Sequence, residues 1–82
     1  MNVHVKIFPI AGLSDKTQKL VLALKNGTMS ELLAHLQEQL GVTLNKTKTI
    51  IFLHNGCALD RYKETVFKDG DQLWLLPLIS GG

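Results

Sequence analysis

The chain has 82 residues, 45% of them apolar and 20% charged, and a net charge of +2 at neutral pH. That length supports one modest core, burying roughly 60–65% of the surface an unfolded chain exposes, and leaves no room for a second domain, so residues 1–82 are read as one unit. Nine basic against seven acidic residues fall short of the one-signed balance of a dedicated nucleic-acid binder, and no apolar stretch approaches the roughly 20 residues that cross a bilayer.

The chain opens with Val3, Val5 and Ile7 alternating with His4, Lys6 and Phe8, the period-2 pattern of a half-buried strand that stops at Pro9. This start lacks the apolar segment of a secretory signal, and the lone Cys57 has no cysteine partner for a disulfide or a metal cluster. Both features predict a cytoplasmic protein in a reducing compartment. The sequons at Asn26 and Asn45 then carry no weight. A loop through Ala11–Lys16 leads to a second strand over Lys19–Lys25, closed by Asn26-Gly27, and the two strands are expected to pair as a hairpin.

Thr28-Met29-Ser30-Glu31 fits a capping box: the Thr28 hydroxyl accepts from the amide of Glu31, and the Glu31 carboxylate is expected to reach back to the amide of Thr28. Met29, Leu32, Leu33, Leu36 and Leu40 then recur at helical spacing and form one apolar face, with Gly41 as the left-handed residue that closes the helix. After a polar stretch, Thr49–His54 is β-branched and aromatic and ends at the turn dipeptide Asn55-Gly56, which predicts a strand and a short return through Cys57-Ala58-Leu59. Lys46, Lys48, Arg61 and Lys63 read as a solvated face. In the polar segment from Arg61 to Lys68, Val66 and Phe67 are the expected anchors. Asp69-Gly70 turns the chain into a last strand over Asp71–Pro77. The order is β-β-α-β-β, an α+β domain with one main helix crossing a mixed sheet. With the last strand placed between the first and the third, that arrangement is the ubiquitin-like β-grasp.

Every residue from Leu73 to Leu76 is apolar, so alternation alone leaves two possible registers for the last strand. If Leu73 and Leu75 point into the core, Trp74 and Leu76 lie on the opposite, helix-free face. Phe8 and Ile51 or Leu53 from neighbouring strands would join them. An exposed apolar patch of this kind marks a protein interface, and Trp is enriched at interface hot spots. Other side chains offer little chemistry. His4, His35 and His54 fall on three different elements, Cys57 reads as a small strand residue, and Asp69 and Asp71 read as turn formers; no ligand spacing for a metal is present.

The sequence ends Leu78-Ile79-Ser80-Gly81-Gly82, a short tail expected to be flexible. Glycine has no Cβ, so a Gly-Gly end threads a slot too narrow for any side chain and brings its carboxylate to a reactive group on a partner. The plainer alternatives are a frayed end or a cloning remnant. Extended, Pro77–Gly82 spans at most roughly 20 Å, enough to enter a neighbour's pocket.

With the element order and the terminus in hand, the chain resembles the ubiquitin-like sulfur carriers, and among them the small subunit of molybdopterin synthase, the MoaD family. The segment Asp69-Gly70-Asp71-Gln72-Leu73-Trp74-Leu75-Leu76-Pro77 followed by the Gly-Gly tail carries the resemblance, with Val5-Lys6-Ile7-Phe8 and the helix from Glu31 to Gly41 in looser agreement. It departs where the family often has a second proline before the tail, here Leu78, and a Val-Asn pair after the third strand, here Leu53-His54-Asn55-Gly56. The resemblance implies a carrier with no catalytic side chain and no bound cofactor or metal. Its Gly82 carboxylate would be adenylated with ATP by an E1-like enzyme of the MoaB, MoeB or ThiF type and converted to a thiocarboxylate. A large, MoaE-like synthase subunit would then receive the sulfur for molybdenum- or tungsten-cofactor synthesis. Two readings with the same tail stay open beside it: a ubiquitin-like modifier joined through Gly82 to lysines, and a ThiS-like carrier for thiamine thiazole synthesis.

Overall fold

The computed structural model describes residues 1–10, 13–41, 50–59 and 65–78. Its elements are β1 (Asn2–Ile7), β2 (Gln18–Ala23), α1 (Met29–Leu40), β3 (Ile50–His54), β4 (Cys57–Leu59) and β5 (Gln72–Pro77). The strands form one five-stranded sheet in the order β2-β1-β5-β3-β4. β5 lies between β1, which it parallels, and β3, to which it is antiparallel, while β1–β2 and β3–β4 pair as antiparallel ladders. The domain is thus α+β with the ubiquitin-like β-grasp arrangement.

The alternation in β1 sends Val3, Val5 and Ile7 to one face, where all three are buried. They meet Met29, Leu32 and Leu36 of α1, Leu22 and Leu24, Ile50 and Phe52 of β3, and Leu73 and Leu75 of β5 in a single core. Helix spacing presents those three α1 residues to the sheet, and Leu33 and Leu40 pack at the margin. Of the two expected anchors before the last turn only Phe67 serves, 1% exposed against 65% for Val66. Val66 forms a bridge with Thr28, and in extended backbone adjacent side chains point to opposite sides, so only one of the pair can enter the core. Ile10, which follows the expected strand stop at Pro9, is also buried, because its backbone bonds Ser14 in both directions and folds it inward.

The helix start is built differently from the expected capping box. The Glu31 amide donates to the Thr28 hydroxyl at 3.1 Å as anticipated. The Glu31 carboxylate, however, accepts from the backbone N–H groups of Lys25, Asn26 and Gly27 at 2.7, 2.8 and 3.0 Å rather than from Thr28. Three successive N–H groups make a concave anion-binding row, and here the anion is supplied by the chain's own helix. The bond from Lys25, followed by those from Asn26 and Gly27 and the nearby His35, holds the Glu31 carboxyl below its ordinary range. This recruitment also ends β2 at Ala23, two residues earlier than the apolar pattern indicates, since Lys25 turns toward Glu31. At the other end Gly41 adopts φ 70° and donates to the Gln37 carbonyl, closing the helix as its position predicts.

Gly27 is the most constrained of the described glycines. Its φ is 69°, and a Cβ there would stand 2.6 Å from both the Phe67 carbonyl oxygen and the Met1 sulfur. Met1 can swing away, but the Phe67 backbone is held against Gly27 by its amide, which donates to the Gly27 carbonyl at 2.7 Å. Gly27→Ala should therefore cost about 2–4 kcal/mol, combining left-handed strain with a backbone clash. Urea unfolding of the variant checks this; a midpoint unchanged from wild type would refute it.

Lys46, Lys48, Arg61, Lys63 and the tail residues 79–82 lie outside the described residues, whereas Leu78 is described and exposed. Among the described residues no helix is long and apolar enough to cross a membrane.

Candidate functional site

Among the described residues, α1 covers one face of the sheet and no element covers the other. On the open face β5 sits centrally, with Trp74 level with Lys6 of β1 on one side and Leu53 of β3 on the other. One step along, Leu76 stands beside Ile51. Trp74 is 38% exposed, while Phe8, Ile51, Leu53 and Leu76 are half-buried. Leu73 and Leu75, of opposite parity, are fully buried. The structure therefore selects the register in which Trp74 and Leu76 face away from the helix, and it brings the five apolar residues singled out from sequence onto one surface.

An aromatic corner organises that surface. The Phe8 and Trp74 rings meet edge to face with centroids 5.4 Å apart, a favoured quadrupolar arrangement. The Lys6 ammonium lies 4.9 Å from the Phe8 centroid and 5.3 Å from that of Trp74, so one cation is held against both rings. From this corner β5 continues to Pro77, paired with Ile50, and then to the exposed Leu78. Proline has no N–H for a further ladder bond, which suits it to the place where the strand leaves the sheet.

The opposite end of β5 carries a polar knot that the sequence did not reveal. His54 Nε2 and Asp71 Oδ2 are 2.7 Å apart, and the same carboxylate accepts from the Lys68 backbone at 2.8 Å and from the Asn55 amide at 3.1 Å. Asn55 in turn exchanges bonds with the Gln72 backbone, both 2.8 Å long. Asp71 is a turn former, as expected, and also the partner of a histidine 17 positions away. Nothing local in sequence links the two; only the β3–β5 register, which sets His54 beside Leu73, brings them together. The turn it braces is the left-handed pair Asn55 and Gly56, φ 50° and 85°.

The Lys68 N–H, followed by the His54 and Asn55 bonds, lowers the Asp71 carboxyl to about 2. A depressed carboxyl stabilises the fold fully above its unfolded value near pH 4, and that contribution is lost as pH falls toward 2. Asp71→Asn should thus remove about 1–2 kcal/mol at neutral pH and flatten the stability curve between pH 4 and 2. Urea titrations of both proteins across that range test it; parallel curves would show that Asp71 is not the source.

The remaining candidates stay apart. His4 and His35 are exposed on β1 and α1, His35 lying 3.7 Å from Glu31. Cys57 is a free, exposed thiol opposite His54 in the β3–β4 ladder. Asp69 accepts from the Asn2 amide and so fastens the turn to the start of β1. Among the described residues no group of three His, Cys, Asp or Glu side chains is placed to hold a metal ion.

Known proteins align with this chain over nearly its whole length. The molybdopterin synthase sulfur carrier subunit of Drosophila melanogaster is 33% identical over 84 aligned positions, covering 100% of this chain and 92% of the fly protein. The same subunit of Drosophila simulans aligns equally, at 33% identity. Among solved structures, the complex of subunits 1 and 2 of the molybdopterin-converting factor from Helicobacter pylori 26695 contains a chain 29% identical, with a TM-score of 0.64 and full coverage of both chains. SAMP1 from Haloferax volcanii superposes with a TM-score of 0.75 at 22% identity, also over 100% of each chain, a likeness of fold alone. The ThiS family pattern matches residues 5–82, from the middle of β1 through the final glycine, and the chain belongs to the ThiS family.

Proposed function

We propose that the protein is a sulfur carrier that works through the carboxylate of Gly82 and delivers sulfur for molybdopterin synthesis. The observation that carries this reading is the continuity of the open face with the tail. β5 bears Trp74 and Leu76 on the helix-free surface and leads directly through Pro77 into Leu78, Ile79, Ser80, Gly81 and Gly82. A partner docked on Phe8, Ile51, Leu53, Trp74 and Leu76 would receive the tail beside its own contact surface. The names of the fly and Helicobacter relatives support the choice of a molybdopterin pathway.

A carboxylate is a poor electrophile, because its charge repels nucleophiles and oxide is a poor leaving group. In the proposed sequence an E1-like partner lets the Gly82 carboxylate attack the α-phosphorus of ATP and release pyrophosphate. Sulfide then adds to the acyl carbon, and AMP departs with the bonding electrons, leaving a thiocarboxylate. With a persulfide donor the first product is an acyl disulfide, which a second thiol reduces. ATP belongs to that partner, and a large MoaE-like subunit takes the sulfur. The carrier contributes presentation: a surface to bind and a tail without side chains at its last two positions. Intact-mass measurement of the protein incubated with its cognate activating enzyme, ATP and sulfide should show one oxygen exchanged for sulfur, localised to Gly82. Isopeptide linkage of Gly82 to lysines of many proteins, with no such exchange, would instead establish a modifier.

A further inference from the structure

Beside the aromatic corner the open face deepens into a groove of about 430 Å³ between β1, β2 and β5, lined by His4, Lys6, Lys19, Val21, Gln72 and Trp74 among others. Lys6 and Lys19 stand directly opposite each other in the β1–β2 ladder, a like-charge pairing that destabilises a sheet. The ion pairs among the described residues are His35–Glu31 and His54–Asp71, and neither reaches this groove. Among the described residues no acidic one lines it. Two lysines thus face a surface on which the described residues supply no counter-charge, on the same face as Trp74.

We propose that this groove receives an aspartate or glutamate side chain of the protein that docks on the open face, seated between the Lys6 and Lys19 ammonium groups with its methylene stem against Trp74. The inference rests on the carrier reading and adds the chemistry of the partner. Charge complementarity and continuity with the apolar patch support it. The surroundings favour a carboxylate on a protein surface: Val21 is 58% exposed and Trp74 38%, and Lys6 is held on two ring faces, so the walls suit an apolar stem carrying one charge. Pairing with that carboxylate would relieve the Lys6–Lys19 repulsion only in the complex, which makes the contact a determinant of association rate and partner choice.

Stopped-flow and equilibrium binding of the full chain to the large synthase subunit and to the adenylating enzyme of the same organism test this. Lys19→Glu should weaken binding to at least one of them by about 10-fold at low ionic strength, mostly through slower association, and by far less in 0.5 M salt, on the order expected for a screened contact. Lys6→Glu should act in the same direction; because Lys6 also packs on the rings, Lys19→Glu is the decisive variant, with its unfolding midpoint measured alongside. Changing the contacting partner carboxylate to lysine should restore binding to Lys19→Glu. Affinity and salt dependence unchanged by Lys19→Glu, while Trp74→Ala still weakens the complex, would overturn this inference and leave the carrier reading intact. Failure of the wild-type chain to bind either protein would overturn both. If the effect of Lys19→Glu disappears once Gly81 and Gly82 are removed, the groove holds the chain's own carboxylate and the proposal fails.

Discussion

Removing Gly81 and Gly82 should abolish complementation of a molybdenum-cofactor-deficient strain while leaving the unfolding midpoint where it was. The reason is a division of labour along β5. The described core takes nothing beyond Leu75, and the strand itself ends at Pro77, so stability is expected not to depend on the last two residues. The proposed chemistry depends on them wholly: without Gly82 the acyl carbon that is adenylated is gone, and a carboxylate ending at Ser80 presents a side chain two residues short of the reactive pocket. The expected loss is complete, not partial. Growth of the complemented strain and a urea titration of the same variant separate the alternatives. Full complementation by the truncated chain would reduce the protein to an interaction domain, whereas loss of growth together with loss of fold would assign the glycines a structural role.

A second large effect is expected at Leu75, whose side chain is fully buried at the centre of the sheet, flanked by Ile7 on β1 and Phe52 on β3. Leu75→Ala removes methylenes where strands close in from both sides, so the cavity collapses little and stability should fall by about 2–5 kcal/mol. Its neighbour Trp74 should behave in reverse. Trp74→Ala gives up the edge contact with Phe8 and the Lys6 ammonium, about 0.5–1.5 kcal/mol of stability. It should nevertheless weaken binding of a partner by roughly 1–3 kcal/mol, as loss of an interface anchor does. Chemical denaturation and calorimetric binding on the two variants give four numbers. A stability loss larger for Trp74→Ala than for Leu75→Ala would mean that the helix-free face, not the core, holds β5 in place.

This contrast also marks what could be read in advance. The order of elements, the helix face and the turns at Asn55-Gly56 and Asp69-Gly70 follow from period and turn chemistry, which are local. The parity of β5 does not, because Leu73, Trp74, Leu75 and Leu76 are all apolar and alternation has nothing to alternate with. The register against Val5 and Ile7 settles it, since β1 carries a clear pattern and its partner must share its inner face. The Val66–Phe67 pair failed for a related reason: two adjacent apolar residues in extended backbone name one core position, and the bridge to Thr28 decides which. The Glu31 carboxylate and the His54–Asp71 pair were out of reach because each joins groups that only the folded chain makes neighbours. The capping motif did identify Glu31 and predicted its side chain would fold back; what it missed was the bend at Lys25–Gly27 offering three donors in place of one.

The central place of β5 bears on how the chain matures. His4 pairs with Gln72 across 68 positions of sequence, and contacts of such long range form late and slowly. During synthesis β1, β2 and α1 emerge first, then β3 and β4, yet the two halves of the sheet have no seam until the last strand arrives. Until then β1 and β3 each present an unpaired edge, the kind of template on which chains aggregate. Insertion of β5 seals both edges in one event, and the residues that complete the sheet are followed at once by the tail. A partner that recognises the assembled open face would therefore bind only chains in which β5 has already joined the two halves of the sheet.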